Sequence, residues 1–382
     1  MGIATKIRHL GIIVLLSITL LEIVMRIFVA YDLLPGRMHR AVLSKPETFD
    51  MEFEGIVLNN AYKKGVAFID NGTTNYVNDY GGYGPEFDYS RDALRVLTLG
   101  SSYTQGCCVA PEDADHIYSR VAEQQLTEVL GRNVQFADAS APPGGGYIEW
   151  FRIRYGNRIV QQNVQHDAVI LELCLASFNP FIKDWMTEGY QRLNFPILAP
   201  IEDLYSFRLI RWLAVAVPKA LGARLGLREF VGLPGYSSAK GLVWEARYAE
   251  LKAQDRPSFD VGRLLDMSPD QVARANQEAV ERLETFPEVL DQVLAVNQLV
   301  RRVPERPMIV LIFPEFYESE LATIIHFLKK HDIPFIYLND MRNGTDRTIW
   351  ADEGHPSTRN GQKVWADEMV RQLLPLLPAK AH

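Results

Sequence analysis

Five short apolar segments, separated by segments with helical periodicity, constrain the fold of this chain more than any other feature. The apolar segments are residues 95–99, 134–137, 168–173, 308–313 and 334–338, and the helical patterns around them are residues 113–130, 147–160, 318–331 and 359–374. Strands that are apolar along their whole length are buried on both faces, which is typical of a parallel sheet covered by helices. The sequence therefore predicts an α/β protein of three layers (α/β/α), in which the middle layer is a mainly five-stranded parallel sheet.

The same pattern divides the chain into four parts. We predict an N-terminal transmembrane anchor at 1–31, an irregular lead-in with short strands at 32–93, and an α/β domain formed by 94–180 and 301–382 with flavodoxin-like strand order. A helical insertion or cap at 181–300 interrupts that domain. Within it, Ser268 before Pro269 predicts a helix start, and Pro287 predicts a break and restart.

The N-terminal anchor is predicted from residues 10–31, which are apolar except for Glu22 and Arg26. About 20 such residues span a bilayer core, and an i,i+4 ion pair lowers the cost of the two charges. Lys6 and Arg8 precede the span, which predicts a cytoplasmic N-terminus and a body on the extracytoplasmic, periplasmic side, although basic residues also follow it. A cleavable signal peptide is the alternative, but the apolar run is long for one.

Charge and cysteine content exclude several classes of partner and cofactor. The chain has 382 residues and a net charge of −7, so nucleic-acid binding has no electrostatic support. Its three cysteines give neither a disulfide framework nor a metal-binding spacing. We expect no metal site and no cofactor.

Two short motifs, one after the first strand and one near the end of the chain, carry the chemistry. Residues 100–106 read Gly-Ser-Ser-Tyr-Thr-Gln-Gly, and a small-residue turn after a buried strand presents a side chain at the carboxyl edge of a sheet. Asp352 lies three residues before His355, which Pro356 follows. A serine on such a turn with an Asp/His pair supplies the three roles of a nucleophilic hydrolase.

These motifs resemble the first and last blocks of the SGNH (GDSL-type) hydrolases, and the lead-in at residues 76–84 resembles membrane-tethered members of that group. The resemblance implies that Ser102 is the nucleophile, His355 the base and Asp352 the residue that orients the imidazole. It also implies an oxyanion hole formed by the Ser102 backbone N–H, a glycine N–H and an asparagine amide.

The resemblance leaves two positions of the oxyanion hole open. The glycine is assigned to Gly144, with Gly145 nearly as good, since two prolines precede them and blur the register. The asparagine is assigned to Asn179, with Ser177 as a rival for the same position in the oxyanion hole. One departure from the family pattern is Ser101, which stands where an aspartate usually stabilises the turn.

Together these features predict a membrane-anchored, extracytoplasmic serine esterase that removes O-acyl groups from a carbohydrate or envelope polymer. An O-acetyltransferase using the same triad is the first alternative, with the insertion as a lid that excludes water. A non-catalytic subunit of a membrane protein assembly is the second, motivated by the anchor, by Ser101 and by the open assignment of Asn179. The expected partners are an acylated carbohydrate or other ester, the membrane, and, for the second alternative, a membrane protein.

Overall fold

The computed structural model describes most of the α/β part of the chain and only fragments elsewhere. The described residues are 3–31, 33, 48–54, 56–62, 67–70, 73–82, 84–105, 115, 117–140, 148–178, 259–303, 306–338 and 359–378. The chain forms two compact units, one of Met1–Glu47 with Glu188–Ser238 and one of Thr48–Thr187 with Ala239–His382.

The first unit is described through its N-terminal helix, α1 (Ile3–Ala30). The Arg26 Nε donates to the Glu22 Oε1 at 2.9 Å, so the predicted i,i+4 ion pair is confirmed. In the part of the chain that the structure describes, no helix has the length and apolar character needed to cross a membrane.

The second unit is built around a five-stranded parallel sheet. Its strands are β5 (Leu94–Leu99), β6 (Val134–Asp138), β7 (Ala168–Leu173), β8 (Met308–Ile312) and β9 (Phe335–Tyr337). They pair in the order β6-β5-β7-β8-β9. Counted within this sheet, the order is 2-1-3-4-5, so the predicted flavodoxin-like order is confirmed. Each strand overlaps the apolar segment that predicted it.

Helices cover both faces of this sheet, as predicted. The described helices are α2 (Ser102–Gln105), α3 (Tyr118–Leu130), α4 (Ile148–Arg154), α5 (Val261–Leu265), α6 (Pro269–Arg282), α7 (Phe286–Val300), α8 (Glu318–Lys330) and α9 (Arg359–Leu373). A π-helical turn, Tyr155–Val160, continues α4. Short 3-10 turns at Leu175–Phe178 and Leu374–Leu376 follow β7 and α9.

The sheet separates two apolar cores because side chains alternate along each strand. In β5, Leu97 and Leu99 lie in the core that also contains side chains of α4, α6, α7 and α8. Leu94 and Val96 lie in the other core, with side chains of α3 and α9. Residues 261–300, predicted as the end of the insertion, therefore supply helices to the first core, while 181–258 lie outside the described residues.

Two helix starts were correctly predicted from local chemistry. The Ser268 hydroxyl accepts the Gln271 N–H at 3.3 Å, and the Gln271 Oε1 accepts the Ser268 N–H at 2.8 Å, which closes a capping box at the start of α6. Pro287 lies in the first turn of α7, where its missing N–H costs no helical hydrogen bond.

The lead-in forms two antiparallel hairpins. The first pairs β1 (Thr48–Phe53) with β2 (Ile56–Tyr62), and the second pairs β3 (Ala67–Asp70) with β4 (Thr73–Tyr76). Phe53 is buried in the first core, and the Glu54 carboxylate accepts from Arg152 at 2.7 Å and from Arg302 at 2.8 Å. The lead-in therefore lies against the α/β unit.

Candidate active site

The turn after β5 lies where an open parallel sheet of this order forms a crevice. After β5 the chain forms β6 on one side of β5, and it then crosses over to form β7 on the other side of β5. The boundary between β5 and β7 is therefore a topological switch point. Ligands of such sheets bind outside the carboxyl ends of the strands at this point. Gly100 and Ser101 follow β5 directly, and Ser102 is the first residue of α2. The backbone of Ser102 thus occupies the position that the sequence predicted.

The carboxylate of Glu172, near the end of β7, holds this turn from the neighbouring strand. Leu99 pairs with Leu171, so the next residue of β7 reaches the backbone just beyond β5. Glu172 Oε2 accepts the N–H of Ser101 at 3.0 Å, the N–H of Thr104 at 3.2 Å and the Thr104 hydroxyl at 2.5 Å. The Ser101 hydroxyl donates to Oε1. Ser101 and Thr104, which flank Ser102 and Tyr103, are therefore both hydrogen-bonded to the Glu172 side chain.

This arrangement requires glycine at position 100 and places an acid in a dry environment. A Cβ on Gly100 would lie 2.5 Å from Glu172 Oε2 and would overlap the Thr104 side chain. Glu172 is fully buried, and burial raises its pKa above the ordinary value, while the hydrogen bonds from Ser101 and Thr104 lower it in part. The carboxyl group is consequently part of the packed interior of the turn.

A second buried carboxylate, that of Glu315 in the segment after β8, also reaches this turn. The Tyr103 hydroxyl donates to Glu315 Oε1 at 2.5 Å, and the N–H of Leu175 donates to Oε2 at 2.9 Å. The Tyr103 ring stacks on Phe313 with centroids 4.7 Å apart and lies 5.8 Å from Trp365. Glu315 thereby joins the residue after Ser102 to the 3-10 turn that follows β7.

The lead-in holds the carboxyl end of β6, directly before the predicted glycine-rich block. Asn78 Nδ2 donates to the carbonyl of Asp138 at 2.6 Å, and Asn78 Oδ1 accepts from the N–H of Gly82 at 3.0 Å. A Cβ on Gly82 would lie 2.7 Å from Ala139 Cα, so this close approach requires glycine. Arg154 donates to the carbonyls of Ala139 at 3.1 Å and Ser140 at 2.8 Å.

Asp138 itself is a buried acid at this strand end. Its carboxylate accepts the Ser140 N–H at 2.6 Å and the Ser140 hydroxyl at 2.8 Å. Burial raises the pKa of Asp138 from 3.8 to about 6, because these hydrogen bonds and the charges of Arg120 and Arg154 offset only part of the lost solvation.

Of the predicted site residues, the nucleophile Ser102 and Ser177, the rival of Asn179 for the oxyanion hole, fall within the described part of the chain. Asp352, His355, Gly144, Gly145 and Asn179 lie outside it. The Ser177 hydroxyl is buried and accepts the N–H of Cys174 at 3.3 Å, which engages it within its own turn. Asn179 follows that turn directly, so its assignment to the oxyanion hole stays a prediction.

Glu172 and Glu315 did not figure among the predicted site residues. The sequence does carry a sign of the first, since Glu172 interrupts the apolar run of residues 168–173, and a carboxylate inside a fully buried strand needs partners. The identity of those partners depends on the pairing of β5 with β7. Glu315 follows β8 in a segment whose burial the sequence pattern does not indicate.

Comparison with known proteins adds little to this geometry. No protein-family model matches the chain, and no curated protein matches it at a significant level. Among solved structures, a lipase, Lip_vut3 from goat rumen metagenome, is similar with a TM-score of 0.39 and 10% identity, over 73% of this chain and 97% of that chain. A second solved chain has a TM-score of 0.35 and 9% identity, over 75% of this chain and 98% of that chain. A likeness at this level carries no conclusion about the reaction.

Proposed function

We propose that this protein is a serine ester hydrolase of SGNH type with Ser102 as its nucleophile. In the proposed reaction, His355 removes the proton of the Ser102 hydroxyl as its oxygen attacks an ester carbonyl, and Asp352 orients the imidazole and stabilises its charge. The alkoxide leaves with a proton from His355, and an acyl-serine forms. Water activated by His355 then cleaves that ester and releases the acid. Gly144 and Asn179, with the Ser102 N–H, are proposed as donors to the oxyanion.

The observation that carries this proposal is the place of Ser102 in the fold. It begins a helix at the carboxyl end of β5, beside the switch point of a parallel sheet in 2-1-3-4-5 order. Chemistry in open α/β folds concentrates at this position. The rigid attachment of the flanking residues Ser101 and Thr104 to Glu172 also supports it, since a nucleophile gains rate from a fixed position.

A fluorophosphonate probe tests the nucleophile directly. We expect the purified protein to become labelled at one serine and to hydrolyse a short aryl ester such as p-nitrophenyl acetate, and we expect both activities to disappear in Ser102→Ala. Ser90→Ala is a matched control, because Ser90 is an exposed serine that hydrogen-bonds to Asp88 in a loop before β5. Labelling that persists in Ser102→Ala would contradict the assignment of Ser102 as the nucleophile. Wild-type protein that neither labels nor hydrolyses the ester would contradict the proposed function and favour a non-catalytic subunit.

The proposed substrate is an O-acyl group on a carbohydrate or envelope polymer, and transfer to a sugar hydroxyl is the alternative fate of the acyl-serine. Both follow from the family resemblance and the predicted compartment. Incubation with an acetylated polysaccharide separates them, since hydrolysis gives free acetate whereas transfer gives newly acetylated acceptor sugar. If labelled protein yields neither product, the substrate class is wrong while the nucleophile stands.

We further propose that α1 holds the protein at a membrane with its body on the extracytoplasmic side. Support comes from the apolar surface of this helix, where Ile13 is 59% exposed and Leu16 and Leu20 are each 63% exposed. Contiguous exposed apolar surface of this kind is typical of contact with lipid or with another protein. After cell lysis, we expect the full chain in the membrane pellet through sodium carbonate extraction and in the supernatant only with detergent. Recovery in the soluble fraction before extraction would contradict membrane attachment.

A further inference from the structure

Two buried carboxylates contact three of the residues around Ser102. Ser101 and Thr104 donate to Glu172, and Tyr103 donates to Glu315. Glu172 belongs to β7 and Glu315 lies in the segment after β8, so the two supports come from separate parts of the chain. The turn is therefore fixed by the sheet itself as well as by its own backbone.

Stability alone gives no reason to place two carboxylates here. Glu172 is 1% exposed and Glu315 is 4% exposed. Removing a carboxylate from water costs several kcal/mol, and well-packed apolar residues of similar size are often as stabilising as a buried polar network. The gain from a satisfied buried network is instead a single, rigid arrangement of the groups that it joins.

Glu315 joins two segments that the proposed reaction must bring together. One carboxylate oxygen accepts from Tyr103, the residue after Ser102, and the other accepts from Leu175, in the 3-10 turn that leads to Asn179. Contact with Phe313 and Trp365 restricts the Tyr103 ring, so its hydroxyl has a defined position. A shift of Glu315 would consequently displace the Ser102 turn and the 3-10 turn after β7 relative to each other.

We propose that Glu172 and Glu315 are positioning residues that together set the place of the Ser102 turn relative to the 3-10 turn after β7. This inference rests on the proposed function of Ser102. Neither carboxylate exchanges a proton with the substrate. Glu172 fixes the residues on both sides of the nucleophile, and Glu315 sets the distance between two segments proposed to stabilise the oxyanion.

The rate of fluorophosphonate labelling, measured together with its endpoint, tests this role in the full chain. Misplacing a nucleophile by about 1 Å costs on the order of a hundredfold in rate. We expect Glu172→Ala and Glu315→Ala to lower the labelling rate constant and the kcat for p-nitrophenyl acetate by about a hundredfold, with KM little changed and the labelling endpoint still one probe per chain. A merely structural role predicts the opposite pattern, a reduced endpoint with a wild-type rate constant in the molecules that label.

Conservative variants keep the test valid if the alanine variants do not fold. Glu172→Gln retains an acceptor for the N–H groups of Ser101 and Thr104, so we expect its rate constant to lie within about tenfold of wild type. Tyr103→Phe removes only the hydroxyl that reaches Glu315, and we expect a loss of about tenfold without a change of endpoint. Glu123→Gln is the matched control, because the Glu123 carboxylate also accepts a backbone N–H, that of Phe136 at 2.6 Å, and we expect wild-type rates.

The outcomes separate the two proposals. Wild-type protein that does not label at Ser102 overturns the proposed function and this inference with it. Wild-type labelling, with unchanged rate constants in Tyr103→Phe and in whichever glutamate variants fold, overturns the positioning role alone.

Discussion

Replacing His355 with alanine is expected to lower kcat/KM for p-nitrophenyl acetate by about a thousandfold or more. Without an imidazole, the Ser102 hydroxyl has no base to take its proton as it attacks the carbonyl, and the leaving group has no acid. Asp352→Asn is expected to give a loss of comparable order, since an amide neither fixes the required tautomer nor stabilises the imidazolium. Steady-state hydrolysis of the aryl ester by purified variants measures both effects.

His331→Ala is the matched control for this experiment. His331 follows α8 and precedes β9, which places it at the amino edge of the sheet, opposite the carboxyl edge that holds the Ser102 turn. Its activity is expected to equal that of the wild type. A His355→Ala protein with full activity would remove His355 from the proposed triad, even if Ser102 remained the labelled residue.

Asp138→Asn is expected to change how the stability of the fold depends on pH. The pKa of Asp138 is raised from 3.8 to about 6 in the folded protein, so between these values the folded state binds more protons than the unfolded state. Stability from this group is therefore greatest below about pH 4, falls as the pH rises, and is lost above about pH 6. A rise of the Asp138 pKa from 3.8 to about 6 corresponds to a contribution of about 3 kcal/mol.

Urea unfolding followed by tryptophan fluorescence at several values between pH 4 and pH 7 measures this effect. The free energy of unfolding of the wild type is expected to fall relative to that of Asp138→Asn by up to about 3 kcal/mol across this range. The variant keeps one oxygen that can accept from Ser140 and has no charge to titrate. Because the other titrating groups are common to both proteins, they cancel in the difference. Parallel pH curves would show that Asp138 does not titrate in this range in the folded state.

Much of the architecture was predictable because its causes are local in the sequence. Continuous apolar segments predicted β5 to β9, since strands buried on both faces are typically apolar along their whole length. The start of α6 was predictable because Ser268, Pro269 and Gln271 supply the groups that satisfy its first N–H groups. The assignment of residues 261–300 was harder, because an amphipathic helix looks the same whether its apolar face packs on a cap or on a sheet.

The candidate site was likewise predictable in part from the sequence. Residue types and their order along the chain determined the nucleophile assignment, because Ser102 lies in a small-residue turn directly after a buried strand, and the structure places it at the first residue of α2. The support of that turn was not predictable from residue types. Ser101 and Glu172 are 71 residues apart in sequence, and Tyr103 and Glu315 are 212 apart. The sequence by itself therefore determined which strands form and which side chains are candidates for the proposed chemistry. Only the tertiary structure decided that carboxylates from β7 and the segment after β8 hold the Ser102 turn, because the alignment of parallel strands is set by long-range packing and not by the local pattern.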